Sequence, residues 1–364
     1  MKPTQSSPSV LPAAATPSWP AAPPAGALTL AVLHGGPSTE HDVSVASARM
    51  VLAALRRAGQ GARPAYVDRD GLWHVGGFED DVAHRTTTPL GPLQGALALA
   101  ALELDCAFLA FHGTYGEDGR IQALLGLAGV PYSGSRVTST AAAMDKPMTR
   151  RVYQGAGLPV AAAVEFETAG LEDAVVVARV VDGLIEDLGL PLVLKVPEGG
   201  SSIGVEIPRT REEALISVPR LASMASRLLC EEFIAGTELT AGVLEDAQGR
   251  PAALPIVEIV PHAAFFDYEA KYDAGKTDEI VPARISADAT AEAQRLGLAA
   301  HKLLGCRGYS RTDLLLSSAG EFVVMETNTL PGLTAESLLP KAAAAVGLTF
   351  DAMVLAIIAA SVRP

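Results

Sequence analysis

Short apolar runs alternate with segments of helical period along this chain, and glycine-rich corners mark most of the junctions. Ala27–Leu33, Ala62–Val67 and Cys106–Phe111 read as buried strands, because each is a compact apolar run bounded by turn residues. A helix follows the first of them, with Ser38 or Thr39 as its cap and Glu40 and Asp42 in its first turn. Gly95–Leu104 reads as a second helix. This alternation over the first ~135 residues predicts one doubly wound α/β unit. Beyond it the pattern gives a helix over Thr138–Gly155, a strand LPLVLKV ending near Lys195, and an apolar strand that leads into a glycine turn over Leu228–Leu239. An amphipathic helix over Ala289–Leu304 and a closing helix over Phe350–Val362 complete the set.

The most informative stretch is GYSRTDLLLSSAGEFVVMETNTLPGL, which predicts a hairpin of Arg311–Leu316 and Glu321–Glu326 around the turn SSAG. With Leu316 paired to Glu321, Arg311 lies opposite Glu326 and Asp313 opposite Val324. The strand period of two then puts Arg311, Asp313, Glu326 and Asn328 on one face, and Thr312, Leu314, Val323 and Met325 on the other. Two carboxylates and an amide make an oxygen-only set of the kind that suits Mg²⁺. An arginine that cannot lose its charge belongs beside such a set to hold an anion.

Composition narrows the field. The formal net charge of −13, with no basic patch, argues against a nucleic-acid surface. Three widely separated cysteines, Cys106, Cys230 and Cys306, sit in apolar contexts and read as buried thiols of a reducing compartment. No apolar run reaches the roughly 18 residues of a membrane span. Residues 1–26, rich in Pro, Ala and Ser, lack a signal-peptide core and read as a disordered leader. The expected location is the cytoplasm.

Candidate chemistry gathers at the corners. HGGPSTEHD after the first strand has the form of an anion site, yet it carries an acid at the helix start. Glu40 is therefore either a helix-dipole partner or a group that attracts an ammonium. His112 stands at the second strand-to-helix corner, open to a structural or a binding role. The loop after Lys195, with Gly199, Gly200, Ser201, Ser202 and Gly204, is either a simple turn or a cradle of phosphate donors; GxxxxGK[ST] is absent. FFDYEAKYDAGKTDEIVPARIS has no clear period and reads as a long functional lid.

Seven blocks in order, HGGPSTEHDVSVASA, FHGTYGEDGRIQALLGLAGVPYSGS, MDK, GGSSIGV, FFDYEAKY, GYSRTDLLL and METNTLPGLTAESLLP, resemble the D-alanine–D-alanine ligases among the ATP-grasp carboxylate–amine ligases. The resemblance runs from Leu28 to the C-terminus. It implies an α/β chain (α+β in its ATP-binding part), a three-domain ATP-grasp fold with an N-terminal doubly wound domain. The expected boundaries are 27–135, a central domain 136–230, and a catalytic domain 231–364 with its lid at about 262–284. It further implies a homodimer, ATP with two Mg²⁺ or Mn²⁺ ions, two D-alanine molecules as substrates, and a place in peptidoglycan precursor synthesis for cell-wall biogenesis.

Residue by residue, the resemblance assigns Glu40 to the first substrate's ammonium, with Ser201 and Tyr272 as its latch to the lid. His112 falls beside that substrate's carboxylate. Lys146, Lys195, Ser202 and the lid's Lys271 fall on the ATP phosphates, and Glu231 and Glu238 on adenine and ribose. Asp313, Glu326 and Asn328 match metal ligands, Arg311 and the Gly332 N–H oxyanion donors, and Ser337 and Leu338 the second substrate's carboxylate. Pro197 lies one position from its usual place, Gly199 replaces an acid, and Glu232 stands where a base is common. Tyr272 favours a dipeptide over a D-alanyl-D-lactate product. Glu40 with Ser201 and Tyr272 argues against other acids or amines, and the intact charged set argues against a catalytically dead relative.

Overall fold

The computed structural model describes residues 26–76, 88–200, 203–262 and 277–362. Three sheets follow one another along the chain. The first is formed by β1 (Leu30–Gly35), α1 (His41–Arg57), β2 (Ala62–Val67), β3 (Trp73–Val75), α2 (Pro92–Ala100), β4 (Cys106–Leu109) and α3 (Arg120–Leu127). Its strand order is β3-β2-β1-β4; β1 lies parallel to both neighbours, and β3 is an antiparallel edge. Every residue of β1 is buried, as a central parallel strand covered on both faces requires. The short β3 was not anticipated. The expected cap of α1 is also corrected: Glu40 occupies the cap position, and Ser38 Oγ instead accepts the Glu40 N–H at 3.1 Å and donates to the His112 carbonyl at 3.0 Å.

The helix expected over Thr138–Gly155 is two, α4 (Val137–Met144) and α5 (Lys146–Gly155). Asp145 between them is extended (φ −84°, ψ 99°) and its carboxylate caps α5 through the Met148 N–H at 2.8 Å. Pro147 then fits the first turn of α5, where its missing N–H costs nothing, and would have broken a continuous helix.

The second sheet, order β5-β8-β6-β7, is antiparallel throughout: β5 (Ala163–Glu167), α6 (Ala174–Leu188), β6 (Leu192–Lys195), β7 (Val205–Glu206), α7 (Arg211–Ala222) and β8 (Arg227–Glu232). Its helices bury Val181 and Val218 against Leu194 and Leu228. The third contains β9 (Gly236–Glu245), β10 (Pro251–Ala253), β11 (Val257–Pro261), β12 (Thr277–Ile280), α8 (Ala287–Leu303), β13 (Tyr309–Ser317) and β14 (Phe322–Asn328), in the order β12-β11-β9-β13-β14 with β10 on β9. Gly297 lets α8 approach this sheet: a Cβ there would lie 2.6 Å from that of Ala241.

The last helices, α9 (Leu338–Ala344) and α10 (Phe350–Ser361), return to the first sheet. Met353, Ile357 and Ile358 share one apolar core with β1 and β4. Arg57 clamps Asp351 with two bonds of 2.8 and 2.6 Å, and Arg307 donates to the Ser361 carbonyl at the end of α10 at 2.6 Å. The first and third sheets are thereby fixed against one another, which matters because the candidate site draws residues from the units built on both. No described helix is long and apolar enough to cross a membrane.

Candidate active site

The β13–β14 hairpin brings together the four side chains its alternation predicts, through a different register. Leu314 pairs with Val324, then a bulge at Met325 shifts the ladder so that Asp313 faces Glu326 and Arg311 faces Asn328. Val324, not Val323, therefore lies with Leu314 against the core, and Met325 is exposed. On the cleft face Arg311 chelates Asp313 through two bonds of 2.9 Å. Asn328 Nδ2 donates to Asp313 Oδ2 at 3.2 Å, and Thr240 Oγ1 to Asp313 Oδ1 at 2.7 Å. On the opposite face the Thr327 hydroxyl contacts those of Tyr153 (2.6 Å) and Thr312 (2.8 Å), which fixes β14 to α5 from behind.

The donor chemistry fits a hard divalent cation. Arg311, Thr240 and Asn328 between them take the roughly four lone-pair directions of the Asp313 carboxylate; an Asn328 amide turned to present its carbonyl would release one to a cation while Asp313 retains Arg311. Glu326 and the Asn328 carbonyl would complete the protein's share, with phosphate oxygens and water supplying the rest.

Beside this face a cavity of about 550 Å³ opens between the second and third sheets, lined by Lys146, Lys195, Glu231, Glu238, Asp313 and Glu326 among others. Apolar walls of Val193, Phe233, Leu315 and Met325 suit a flat base. Lys195 Nζ pairs with Glu231 Oε2 at 2.5 Å, so the two residues assigned to opposite ends of a nucleotide meet directly. Burial opposes the ammonium's charge, but Glu231 and then Glu326 hold the Lys195 pKa above its usual value. Lys146 Nζ donates to the Gly199 carbonyl at 2.8 Å, and its backbone N–H to the Pro197 carbonyl at 3.1 Å. The displaced Pro197 thus anchors the glycine loop to the start of α5. Glu232 turns its carboxylate to the Ala162 N–H at 2.6 Å.

A smaller cavity is lined by Glu326 and Asn328 together with Lys146, Gly200 and the buried Glu40. Gly113 makes room for the Glu40 carboxylate: its φ is +69°, and a Cβ there would lie 2.2 Å from Oε2. His112 is buried with both ring nitrogens engaged, Nδ1 with the Leu330 carbonyl at 2.9 Å and Nε2 with Ser47 Oγ at 2.8 Å. A carbonyl can only accept, so Nδ1 carries the proton. Burial lowers the His112 pKa despite nearby Glu40, so the ring is neutral at pH 7.

Gly332 packs on Ser337, whose Oγ would lie 2.6 Å from an added Cβ. Ser337 is the N-cap residue of α9, and its Oγ accepts the Thr334 N–H at 3.0 Å. Leu338 begins the helix, so the pair presents a helix N-terminus to the loop after β14. Ser201, Ser202, Lys271 and Tyr272, and with the last two most of the expected lid, lie outside the described residues.

One buried acid escaped the sequence reading. Glu117 accepts the Gly113 N–H at 2.9 Å and the Thr329 and Leu330 N–H groups at 3.0 and 2.8 Å. Burial, then Glu40, pushes its pKa up to about 7 against the pull of these donors. Its partners lie up to 213 positions away, so only its place in a glycine-flanked corner could have marked it.

Residues 29–135 match the family model described as D-ala D-ala ligase N-terminus, and residues 152–359 the one for the D-ala D-ala ligase C-terminus. A D-alanine–D-alanine ligase of Syntrophobacter fumaroxidans is 40% identical over 90% of this chain and 95% of its own length. Among solved structures, the D-alanine–D-alanine ligase of Coxiella burnetii superposes with a TM-score of 0.74 and 27% identity, over 92% of this chain and 94% of that one. The VanG D-Ala:D-Ser ligase of Enterococcus faecalis gives 0.77 and 29%, over 92% and 99%. The fold is that of the ATP-grasp enzymes, and the chain belongs to the D-alanine–D-alanine ligase family.

Proposed function

We propose that this protein joins two D-alanines into D-alanyl-D-alanine at the expense of ATP, for peptidoglycan precursor synthesis. The observation that carries the reading is the hairpin face of Arg311, Asp313, Glu326 and Asn328. It stands at the meeting of a nucleotide-sized cavity and a small pocket closed by Glu40. An acid on one side and phosphate-binding cations on the other suit a zwitterionic substrate whose carboxylate must reach the γ-phosphate.

In this mechanism Glu40 holds the first D-alanine's ammonium, which directs its carboxylate toward the hairpin. Lys146 and Lys195 neutralise the triphosphate, and Lys195 exchanges part of its contact with Glu231 for phosphate oxygens. Transfer of the γ-phosphoryl group gives a D-alanyl phosphate and ADP. The second D-alanine, its carboxylate held at Ser337 and the N-terminus of α9, attacks the acyl carbon through its amine. Arg311 and the Gly332 N–H face the oxygen that gains charge in the tetrahedral intermediate, and phosphate departs. Asp313, Glu326 and Asn328 would hold Mg²⁺ or Mn²⁺ ions, which supply charge neutralisation on the phosphates. Positioning and electrostatics account for the rate, without a protein nucleophile. Ser201 and Tyr272 would latch the lid to Glu40, while Ser202 and Lys271 would add phosphate contacts. His112, whose two ring nitrogens already serve Leu330 and Ser47, would stand beside the first substrate's carboxylate and shape its pocket without donating to it.

The reading extends to domains at 27–135, 136–230 and 231–364, to a homodimer and to a cytoplasmic location. Competition among D-alanine, L-alanine, D-serine and D-lactate, with product masses as readout, tests it. D-Alanyl-D-alanine as the main product supports it. A mixed D-Ala–D-Ser dipeptide or a depsipeptide as the main product refutes the second-substrate assignment.

A further inference from the structure

We propose that Glu117 is a positioning residue for dipeptide formation, setting the distance between the first-substrate pocket and the hairpin's exit loop through one side chain. Its two oxygens serve different elements. Oε2 takes the Gly113 N–H at 2.9 Å, and Gly113 is the residue whose bare Cα accommodates the Glu40 carboxylate. Oε1 takes both the Thr329 and Leu330 N–H groups, immediately after Asn328 and two residues before Gly332. The Leu330 carbonyl is meanwhile held by His112 Nδ1 at 2.9 Å, so the corner that follows β4 holds Leu330 at both its N–H and its carbonyl.

Glu40, which fixes the ammonium, and Asn328 with Gly332, which face the phosphoryl group and the developing oxyanion, come from sheets with no strand in common. Burial makes the link stiff: Glu117 is 9% exposed and lies on the wall of the same small cavity as Glu40 and Asn328. A structure that needed only a tie between domains could use an apolar contact; three N–H donors converging on a buried acid pin direction as well as distance. A glutamine here offers one acceptor and one donor, so it can satisfy the Gly113 side or the Thr329–Leu330 side, not both. An aspartate keeps the charge but is one methylene too short to span them.

The inference rests on the ligation reading above, and the test keeps the two apart. Glu117→Gln and Glu117→Asp are compared with wild type for kcat, for KM in D-alanine and in ATP, for affinity to a non-hydrolysable ATP analogue, and for thermal midpoint. A displacement of roughly 1 Å at a reacting centre costs on the order of 100-fold. Both variants are therefore expected to lose about that factor in kcat/KM for D-alanine, while analogue affinity and KM for ATP stay within about threefold. D-alanine kinetics within threefold of wild type in either variant would overturn the inference. So would a loss of analogue affinity and thermal midpoint in step with activity, which is the mark of a purely structural tie. Should the glutamine variant not fold, the aspartate variant carries the same two outcomes. Wild type that forms no dipeptide from D-alanine would instead remove the ligation reading.

Discussion

Replacing Gly113 with alanine separates a small structural effect from a large functional one. The new Cβ would sit 2.2 Å from Glu40 Oε2 and 3.0 Å from Ser38 Oγ. An ordinary contact needs about 3.4 Å, so the Glu40 carboxylate must retreat by roughly 1 Å. It can do so by a rotamer adjustment, because it is the end of a flexible chain. The backbone contributes a second effect: alanine at φ +69° is strained by about 1–2 kcal/mol, partly offset by 0.4–1 kcal/mol of reduced chain entropy in the unfolded state. The net destabilisation is therefore about 1 kcal/mol, a shift of roughly 1–2 °C in Tm. A charge-assisted hydrogen bond is worth about 1.5–3 kcal/mol, so losing the aligned ammonium contact raises KM for the first D-alanine by roughly 10- to 100-fold. Initial rates as a function of D-alanine at saturating ATP resolve this subsite, and KM for ATP is expected to be unchanged. Wild-type D-alanine dependence in Gly113→Ala would refute the placement of the ammonium at Glu40.

Glu326→Gln removes charge without volume, so dipeptide formation should fall at least on the order of 100-fold with Tm nearly unchanged, read by ADP release and calorimetry. Gly332→Ala places a Cβ 2.6 Å from Ser337 Oγ; turning the oxyanion N–H away should lower kcat by about 10²–10³ while ATP-analogue affinity stays constant. At the cavity lip Glu258 accepts two guanidinium bonds from Arg284, at 3.0 and 2.7 Å, and its pKa is held below the usual range first by these bonds. A depressed carboxylate adds stability above its unfolded pKa of about 4.3 and loses it as pH falls through the folded value. The stability difference between wild type and Arg284→Gln should thus be constant from pH 6 to 8 and shrink progressively as pH falls below the unfolded carboxylate value of about 4.3, as denaturant titrations would report.

Much of this site was legible because strand alternation is a strict rule. Arg311, Asp313, Glu326 and Asn328 share a face on any hairpin in which the two strands are in phase. The register was not legible, since Val323, Val324 and Met325 are all apolar and give no sign of which is bulged. The break between α4 and α5 was written in Asp145-Lys146-Pro147, where an N-cap residue precedes a proline, yet the helical period on both sides masked it. Glu117 stayed hidden for another reason: its donors are backbone groups from a distant loop, and no side-chain pattern encodes those. His112 was found by its position at a corner, whereas its partners, Ser47 and Leu330, follow from the way α1 and the exit loop pack around it.

In the proposed reaction the γ-phosphoryl group of ATP passes to a D-alanine carboxylate before the peptide bond forms. D-alanine labelled with ¹⁸O in its carboxyl group, incubated with the protein, ATP and Mg²⁺, tests this directly by mass spectrometry of the released phosphate. One labelled oxygen in the phosphate for each dipeptide formed is the predicted result; dipeptide accompanied by unlabelled phosphate would contradict it.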